Sequence, residues 1–200
     1  MKKSRRNGLI AIFIVLCCAG YLVSLNFHEI EPGRFYRSAQ LNRSELGVLL
    51  PMFKIKTVIN LRGENPSARW YQDEVAVTSE NGVKLITIDM SSREIPHRET
   101  VIALLDALKS SEEPILVHCL GGADRSSEAS ALYERFVMGK TKEQAMDMLS
   151  IRYHHLDATR PAKRYFLDLV QSEDWLRHEY NPCSGQYQYY DNSGCRKGTP

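Results

Sequence analysis

The segment from His118 to Ser126 (HCLGGADRS) places a cysteine, two glycines and an arginine within nine residues. Cys119 and Arg125 are separated by five residues. A thiolate held in a positive field is a reactive nucleophile, and a planar guanidinium can bind two oxygens of one phosphate. We predict that Cys119 attacks a bound phosphate in line and that Arg125 stabilises the charge of the transition state. The Ser126 hydroxyl is predicted to bond the thiolate and help it leave.

The residues between the cysteine and the arginine are predicted to form a glycine-rich turn that exposes successive backbone N–H groups. The N-terminus of the following helix adds a partial positive charge. Together these groups would form a cradle for a phosphate-sized anion. The predicted phosphate-binding residues are Leu120, Gly121, Gly122, Ala123, Asp124 and Arg125. The alternative is a buried structural cysteine beside a helix cap.

A strand before this turn and a helix after it must position the cradle. Ile115 to His118 (ILVH) is short and apolar, as is typical of a strand in the middle of a covered sheet. The segment 129–137 carries an apolar stripe at helical spacing. Further strands are predicted at 34–38, 56–61 and 83–88, alternating with helical segments that begin near residues 44, 66, 96, 141 and 159. This alternation predicts an α/β fold with a central sheet flanked by helices.

Composition and charge limit the class of protein. The chain has 200 residues, of which 43% are hydrophobic and 25% charged, as in ordinary globular domains. The net charge of +2 comes from a basic N-terminus, because Lys2, Lys3, Arg5 and Arg6 precede any acidic residue. The remainder is slightly acidic, so the sequence predicts no nucleic-acid partner.

The N-terminus predicts a membrane segment. Residues 9–25 (LIAIFIVLCCAGYLVSL) contain no charge and would span roughly 25 Å as a helix. We predict a basic cytoplasmic tip at 1–8, a transmembrane signal anchor at 9–25 and a linker at 26–32. The chain would then be a single-pass inner-membrane protein, with its catalytic domain on the periplasmic side. A cleaved signal peptide is the alternative.

The predicted catalytic domain covers 33–179, and a polar tail follows at 180–200. This tail contains Cys183 and Cys195. In an oxidising compartment the two thiols could form a disulfide. The alternatives are a metal site, for which too few ligands are nearby, and two free thiols.

The loop at 118–126 resembles the signature loop of the cysteine-based protein tyrosine and dual-specificity phosphatase superfamily. The segments GRFYRSAQ (33–40), TVINLRGEN (57–65), PILVHCLGGADRS (114–126) and ALYERF (131–136) resemble its small bacterial dual-specificity-like branch. This resemblance implies the cysteine-phosphatase fold and phosphomonoester hydrolysis through a cysteinyl-phosphate. It implies no metal and no other cofactor. It also implies that His118 tunes the thiolate through hydrogen bonds and does not act as a base.

A general acid must protonate the leaving oxygen, and the sequence offers three candidates for it. Asp89 lies 30 residues before the cysteine, at the end of a predicted strand, and is the first candidate. Asp124 within the cradle and Glu94 on the same loop as Asp89 are the alternatives. Asp89 could equally be an ordinary turn residue at a strand end. Arg62, which follows another predicted strand, could edge the pocket or remain a solvated loop residue.

Two classes of substrate fit the sequence, a phosphorylated protein and a membrane phospholipid or lipid-linked phosphomonoester. Residues 120–123 carry no Lys or Arg, which disfavours polyphosphorylated inositols and permits a simple phosphomonoester. A phosphate-binding module without turnover is a third hypothesis, although Cys119 and Arg125 are both present. A sulfur-transferring, rhodanese-like enzyme fits the loop spacing less well.

Overall fold

A computed structural model of the chain describes residues 7, 20–184, 186–190 and 195. Within this part, five strands form one mixed sheet in the order β1-β2-β5-β3-β4. The strands are β1 (His28–Glu31), β2 (Phe35–Ser38), β3 (Thr57–Asn60), β4 (Lys84–Thr87) and β5 (Ile115–His118). Strands β1 and β2 are antiparallel, and the other neighbours are parallel. The predicted α/β fold with a central sheet flanked by helices is confirmed.

Helices cover both faces of the sheet. They are α1 (Arg43–Met52), α2 (Arg69–Glu80), α3 (Arg98–Ser110), α4 (Asp124–Phe136), α5 (Lys142–Met146), α6 (Pro161–Leu169) and α7 (Glu173–His178), with short 3₁₀ turns at Ile151–Tyr153 and Pro182–Ser184. Side chains of α1 and α2 pack on one face and those of α3 to α7 on the other. Alternate strand residues face opposite sides, so Leu116 enters one core while Ile115 and Val117 enter the other.

The central strand β5 fixes the position of the predicted cradle. All four of its residues are buried, and it is paired with β2 on one side and β3 on the other. The register aligns His118 with Ser38 and with Asn60, so three parallel strands end at the same level. The loops that follow these strands therefore meet at one edge of the sheet.

The structure corrects two boundaries. The predicted linker at 26–32 contains β1, whose residues pair with β2, and Phe27 before it is buried in the core under α1. The predicted domain end at 179 is also too early, because Tyr180 is wholly buried in the larger core. Both segments are short and mostly polar, so their order depends on contacts with the rest of the domain.

The predicted membrane localisation is corrected as well. Among the residues that the structure describes, no helix is long and apolar enough to cross a membrane. Residues 20–24 are helical, whereas 9–19 of the predicted anchor and all but one residue of the basic tip lie outside the described residues. The single-pass inner-membrane prediction is therefore not upheld. The periplasmic placement of the catalytic domain was inferred from that anchor alone and has no other support among the described residues.

Candidate active site

The loop between β5 and α4 begins at Cys119, whose side chain is 2% exposed, and ends in the first turn of α4 at Arg125. Leu120 next to the cysteine is 60% exposed and lies on the outside of the turn. Gly122 has a positive φ of 66°, which reverses the chain before the helix. Strand, turn and helix therefore follow one another as the sequence predicted.

Three successive backbone carbonyl groups of this loop accept hydrogen bonds from residues outside the loop. The Leu120 carbonyl accepts from the Gln40 backbone N–H at 3.0 Å, and the Gly121 carbonyl accepts from the Asn26 Nδ2 amide at 3.2 Å. The Gly122 carbonyl accepts from Arg37 Nη2. Across each planar trans peptide, the N–H of the next residue points the opposite way. The N–H groups of residues 121–123 are therefore directed to the other side of the loop, where an anion would bind.

Close packing makes Gly122 a fixed requirement of this arrangement. An ideal Cβ built at Gly122 would lie 2.7 Å from the Ala39 backbone nitrogen and 2.8 Å from the Ser38 carbonyl carbon. Gly121 has open space at the same position. The loop therefore lies directly on the end of β2, and of its two glycines it is Gly122 that makes this close contact with another backbone.

Arg125 spans the opening between the loops that follow β3 and β4. Its Nη1 atom donates to the Leu61 carbonyl at 3.1 Å and to the Met90 carbonyl at 3.3 Å. Its Nε atom is buried and has no hydrogen-bond partner among the described residues. The guanidinium is thus fixed by two carbonyls and retains a donor for a bound anion.

Ser126 is wholly buried, and its hydroxyl donates to the Ser38 carbonyl at 3.4 Å. The predicted hydrogen bond from this hydroxyl to the thiolate remains a prediction.

Behind the cysteine, His118 contacts a buried carboxylate that the sequence analysis did not single out. Its Nε2 atom lies 2.6 Å from Glu74 Oε1, in ion-pair contact rather than a well-aligned hydrogen bond, and its Nδ1 atom lies 3.4 Å from the Cys119 carbonyl oxygen. Glu74 Oε2 accepts from Asn60 Nδ2 at 2.7 Å. This wholly buried carboxylate from α2 therefore anchors both His118 and the end of β3.

Arg62 lies at the edge of the site. Its guanidinium stacks on the Trp70 ring at 3.5 Å, and its Nη1 donates to Gln40 Oε1 at 2.8 Å. Burial lowers the pKa of Arg62, and repulsion from Arg125 lowers it further. The sequence left open a solvated alternative for Arg62, and these contacts exclude it. Two arginines thus concentrate positive charge at the edge of the sheet where the cysteine begins its loop.

The candidate acids differ in their surroundings. Asp89 is exposed, and its side chain packs against Gly63, where an ideal Cβ would lie 2.9 Å from Asp89 Cγ. It immediately precedes Met90, whose carbonyl contacts Arg125. Asp89 also shares a small cavity of about 230 Å³ with Glu94. The loop carrying both acids therefore borders the cradle.

Asp124, in contrast, is engaged by two basic side chains. His155 Nδ1 lies 2.9 Å from its Oδ1 atom, and Arg160 Nε lies 3.4 Å from its Oδ2 atom. The second nitrogen of His155 is 3.0 Å from Asp157 Oδ1. Asp124 thus fixes the segment after α5 to the first turn of α4. His155 is buried in this contact.

The C-terminal segment packs on the loop that carries Asp89 and Glu94. Tyr180 donates to the Pro96 carbonyl at 2.7 Å, and Ile95 N donates to the Tyr189 carbonyl at 3.0 Å. Cys183 and Cys195 are joined by a disulfide, with Cα atoms 5.6 Å apart. Residues 185, 191–194 and 196–200 of the predicted tail lie outside the described residues.

Sequence reasoning missed Asn26, Arg37 and Glu74. Asn26 fell in the predicted linker, and Glu74 in the polar part of an amphipathic helix. Arg37 lies within GRFYRSAQ, one of the segments that carried the family resemblance, and this was the signal that could have identified it. All three are wholly or almost wholly buried polar residues, which is the property that a sequence pattern conceals.

Comparisons with known proteins agree with this geometry. A family model described as "DSP-PTPase phosphatase fused to NAD+ Kinase" matches residues 26–164. Two curated relatives, both named dual specificity protein phosphatase TpbA and both from Pseudomonas aeruginosa (strains UCBPP-PA14 and PAO1), are 26% identical over 126 residues. The match covers 62% of this chain and 53% of each relative. The chain therefore spans about half the length of the curated relatives it matches.

Solved structures show the same fold. A crystal structure of a Cys-to-Ser variant of P. aeruginosa TpbA in complex with pTyr has a TM-score of 0.62 at 21% identity, covering 78% of this chain and 90% of that one. The core catalytic domain of the PP-IP phosphatase Siw14 from S. cerevisiae, in complex with citrate, has a TM-score of 0.61 at 20% identity, with coverage of 76% and 89%. Because the family model matches well over half of the sequence, this chain belongs to the cysteine-based, dual-specificity-like phosphatase family described by that model.

Proposed function

We propose that this chain hydrolyses phosphomonoesters through a cysteinyl-phosphate intermediate. The observation that carries the proposal is the orientation of the loop after β5. Its carbonyls at 120–122 are bound from outside, so that the following N–H groups turn inward beside Cys119. Such preorganised donors stabilise the charge that develops on the phosphoryl oxygens during transfer.

The chemistry follows from these groups in two steps. The Cys119 thiolate attacks phosphorus, the bond from phosphorus to the leaving oxygen breaks, and the general acid gives its proton to that oxygen. Water then attacks the phosphocysteine and gives a proton to the same carboxylate, which releases phosphate and the thiolate. Arg125 holds two equatorial oxygens throughout, and the Ser126 hydroxyl stabilises the departing thiolate in the second step.

Asp89 is the proposed general acid. It is exposed beside the residue whose carbonyl contacts Arg125, and among the described contacts no basic side chain pairs with its carboxylate. Asp124 is a weaker candidate because His155 and Arg160 already bind both of its oxygens. Glu94 remains an alternative on the same loop as Asp89.

The proposed substrate is a phosphorylated protein, with phosphotyrosine first. The similar TpbA structure is a complex with pTyr, and residues 120–123 of this chain add no basic side chain for further phosphates. The phospholipid alternative depended on a membrane anchor. Residues 9–19 of that anchor lie outside the described residues, and no contact of the described residues favours a phospholipid over a phosphorylated protein.

The test is phosphate release by the purified full chain from a phosphotyrosine peptide and from 4-nitrophenyl phosphate, without added metal and with a reducing agent. Cys119→Ser provides the blank. We expect release from both substrates by the wild type and none by the variant. Equal release by wild type and variant would overturn the cysteinyl-phosphate mechanism. Release by neither would overturn the enzyme proposal and favour a phosphate-binding module.

The choice of acid is tested by the leaving group. Tyrosine is a more basic leaving group than 4-nitrophenolate and therefore needs protonation more strongly. We expect Asp89→Asn to lower turnover of the phosphotyrosine peptide by about 10²–10⁴-fold, with a much smaller loss for 4-nitrophenyl phosphate. Asp124→Asn and Glu94→Gln are the matched comparisons. If one of them shows this selective loss and Asp89→Asn does not, the assignment moves to that residue.

A further inference from the structure

A buried arginine lies beneath the candidate cradle, on the strand beside the central one. Arg37 is in β2, opposite Val117 of β5, and its side chain is wholly inaccessible to solvent. Adjacent strands are about 5 Å apart, and Cys119 follows Val117 by only two residues. Burial of an unpaired cation is costly, so the contacts of Arg37 require an explanation.

The contacts of Arg37 are directed at the loop. Nη2 donates to the Gly122 carbonyl, Nη1 donates to the Ser127 hydroxyl at 2.9 Å, and the guanidinium lies 4.5 Å from the centre of the Tyr153 ring. Nε is buried without a partner among the described residues. The two terminal nitrogens thus bind the loop and the start of α4 together.

The charged surroundings of Arg37 contain no carboxylate within ion-pair distance among the described residues. Burial lowers the pKa of Arg37 to about 10, and the thiol of Cys119 acts against this shift. The group therefore carries its charge at neutral pH. The charge of Arg37 also acts on His28 of β1, because burial and repulsion from Arg37 lower the pKa of His28 to about 4. Arg152 is a further cation nearby, since its guanidinium lies 5.4 Å from the centre of the same Tyr153 ring.

Other charged groups also face Cys119. Arg125 comes from α4, and Arg62 follows β3 and interacts with the thiol. From α2, the Glu74 carboxylate contacts His118 and lies behind the cysteine rather than beneath it. Asp124 is neutralised by its own basic partners. Arg37 differs from the other two arginines because it is sealed from solvent, where its field is least screened.

We propose that Arg37 is a positioning residue that holds the cradle's peptide groups inward and keeps Cys119 in its thiolate form. The inference rests on the proposed function and deepens it. By holding the Gly122 carbonyl, Arg37 directs the next N–H toward the anion. Its charge, placed below the start of the loop, favours the negative thiolate over the neutral thiol. No substrate contact is involved, because the guanidinium is buried on the far side of the loop.

Three variants of the full chain separate the charge from the hydrogen bonds. Arg37→Gln keeps a hydrogen-bond donor but removes the charge. Arg37→Lys keeps the charge but cannot donate to both the Gly122 carbonyl and the Ser127 hydroxyl as the guanidinium does. Ser127→Ala removes one acceptor and leaves the arginine in place. The readout is the rate of Cys119 alkylation by iodoacetamide as a function of pH, with the modified site identified by peptide mass mapping. This measurement needs no turnover.

The expected results differ between the variants. In Arg37→Gln, alkylation at pH 6 slows about tenfold, equivalent to a displacement of the profile by one pH unit. Arg37→Lys keeps the wild-type profile but needs about fivefold more inorganic phosphate for half-maximal protection of Cys119, as expected for one lost hydrogen bond of about 1 kcal/mol. Ser127→Ala keeps the wild-type alkylation profile.

A wild-type alkylation profile in folded Arg37→Gln would overturn the proposal and leave Arg37 a purely structural residue. If Arg37→Gln does not fold, the proposal is tested with Arg37→Lys alone. A profile displaced to higher pH despite the retained charge, or unchanged phosphate protection, refutes the inference. Failure of the proposed function is a separate outcome. In that case the wild type shows normal thiolate reactivity and phosphate protection but releases no phosphate from either substrate.

Discussion

Gly122→Ala should lower the stability of the fold far more than the same substitution at another glycine of the same backbone conformation. Gly122 has φ +66°, and a methyl group there would meet backbone atoms of Ser38 and Ala39 at 2.8 and 2.7 Å. Gly82, at the end of α2, has φ +64° and open space around its Cβ position. The pair therefore separates the cost of the backbone conformation from the cost of the collision.

The expected loss of stability is the sum of two costs, one for the left-handed backbone conformation and one for the steric collision. An alanine in the left-handed region costs about 1–2 kcal/mol at either position. Overpacking against atoms that cannot move adds about 1–3 kcal/mol at Gly122 alone. We expect Gly82→Ala to lower the free energy of unfolding by about 1–2 kcal/mol and to leave phosphatase activity intact. Gly122→Ala should lower it by about 2–5 kcal/mol, unless the loop moves off β2 to relieve the contact.

Relief of the contact would itself be visible in activity. If the loop moves, its N–H groups no longer converge on one anion, and losing one such donor costs about 10²–10³-fold in turnover. Urea denaturation followed by fluorescence gives the free energies, and hydrolysis of 4-nitrophenyl phosphate gives the activities. Equal stabilities of the two variants, together with full activity of Gly122→Ala, would refute the packing argument.

Three further predictions concern buried charges. Burial lowers the pKa of His28 from 6.5 to about 4, so the unfolded chain binds more protons than the folded chain between these pH values. The free energy of unfolding should therefore fall as the pH drops from 6.5 towards 4. His28→Gln should flatten this part of the curve of stability against pH, and an unchanged curve would contradict the assignment. Glu128 and Lys163 form a wholly buried pair at 2.7 Å, with the pKa of Glu128 raised by burial. Lys163→Met alone should therefore destabilise the fold by about 3–5 kcal/mol, whereas adding Glu128→Leu should recover most of that loss in urea denaturation; equal losses in the single and double variants would contradict this. Glu74→Gln should cost about 1.5–3 kcal/mol by replacing a charged acceptor behind His118, and a variant as stable as wild type would show that the carboxylate charge is dispensable.

Local signals in the sequence located most of the regular elements. The apolar run at 115–118 became β5 with the predicted ends. Helix α5 begins near the predicted residue 141, where Thr141 and Gln144 form a capping box. The first helix begins at Arg43, close to the predicted residue 44, because Asn42 caps it and forms a capping box with Glu45. Signals of this kind involve residues within one turn of each other, so the sequence displays them directly.

Elements stabilised by distant contacts were the ones that sequence patterns missed. Strand β1 has only four residues and gains its order from pairing with β2 and from the aromatic packing of Phe27 against Tyr36 and Phe53. Tyr180 was assigned to the polar tail, yet it is buried and donates a hydrogen bond to the Pro96 carbonyl 84 residues away. No local period marks either segment, since their partners are distant in the chain.

The sequence alone determined the chemistry of the site, because Cys119, the glycine turn and Arg125 lie within one short span between a strand and a helix. Only the tertiary structure decided how that span is held. Asn26 reaches the loop from 95 residues away and Arg37 from 85 residues away. It also decided that Asp124 is engaged by His155 and Arg160 while Asp89 stays exposed. Reactive groups are recognised by residue type and spacing, whereas the burial and charge that tune them depend on which distant side chains the fold brings beside them.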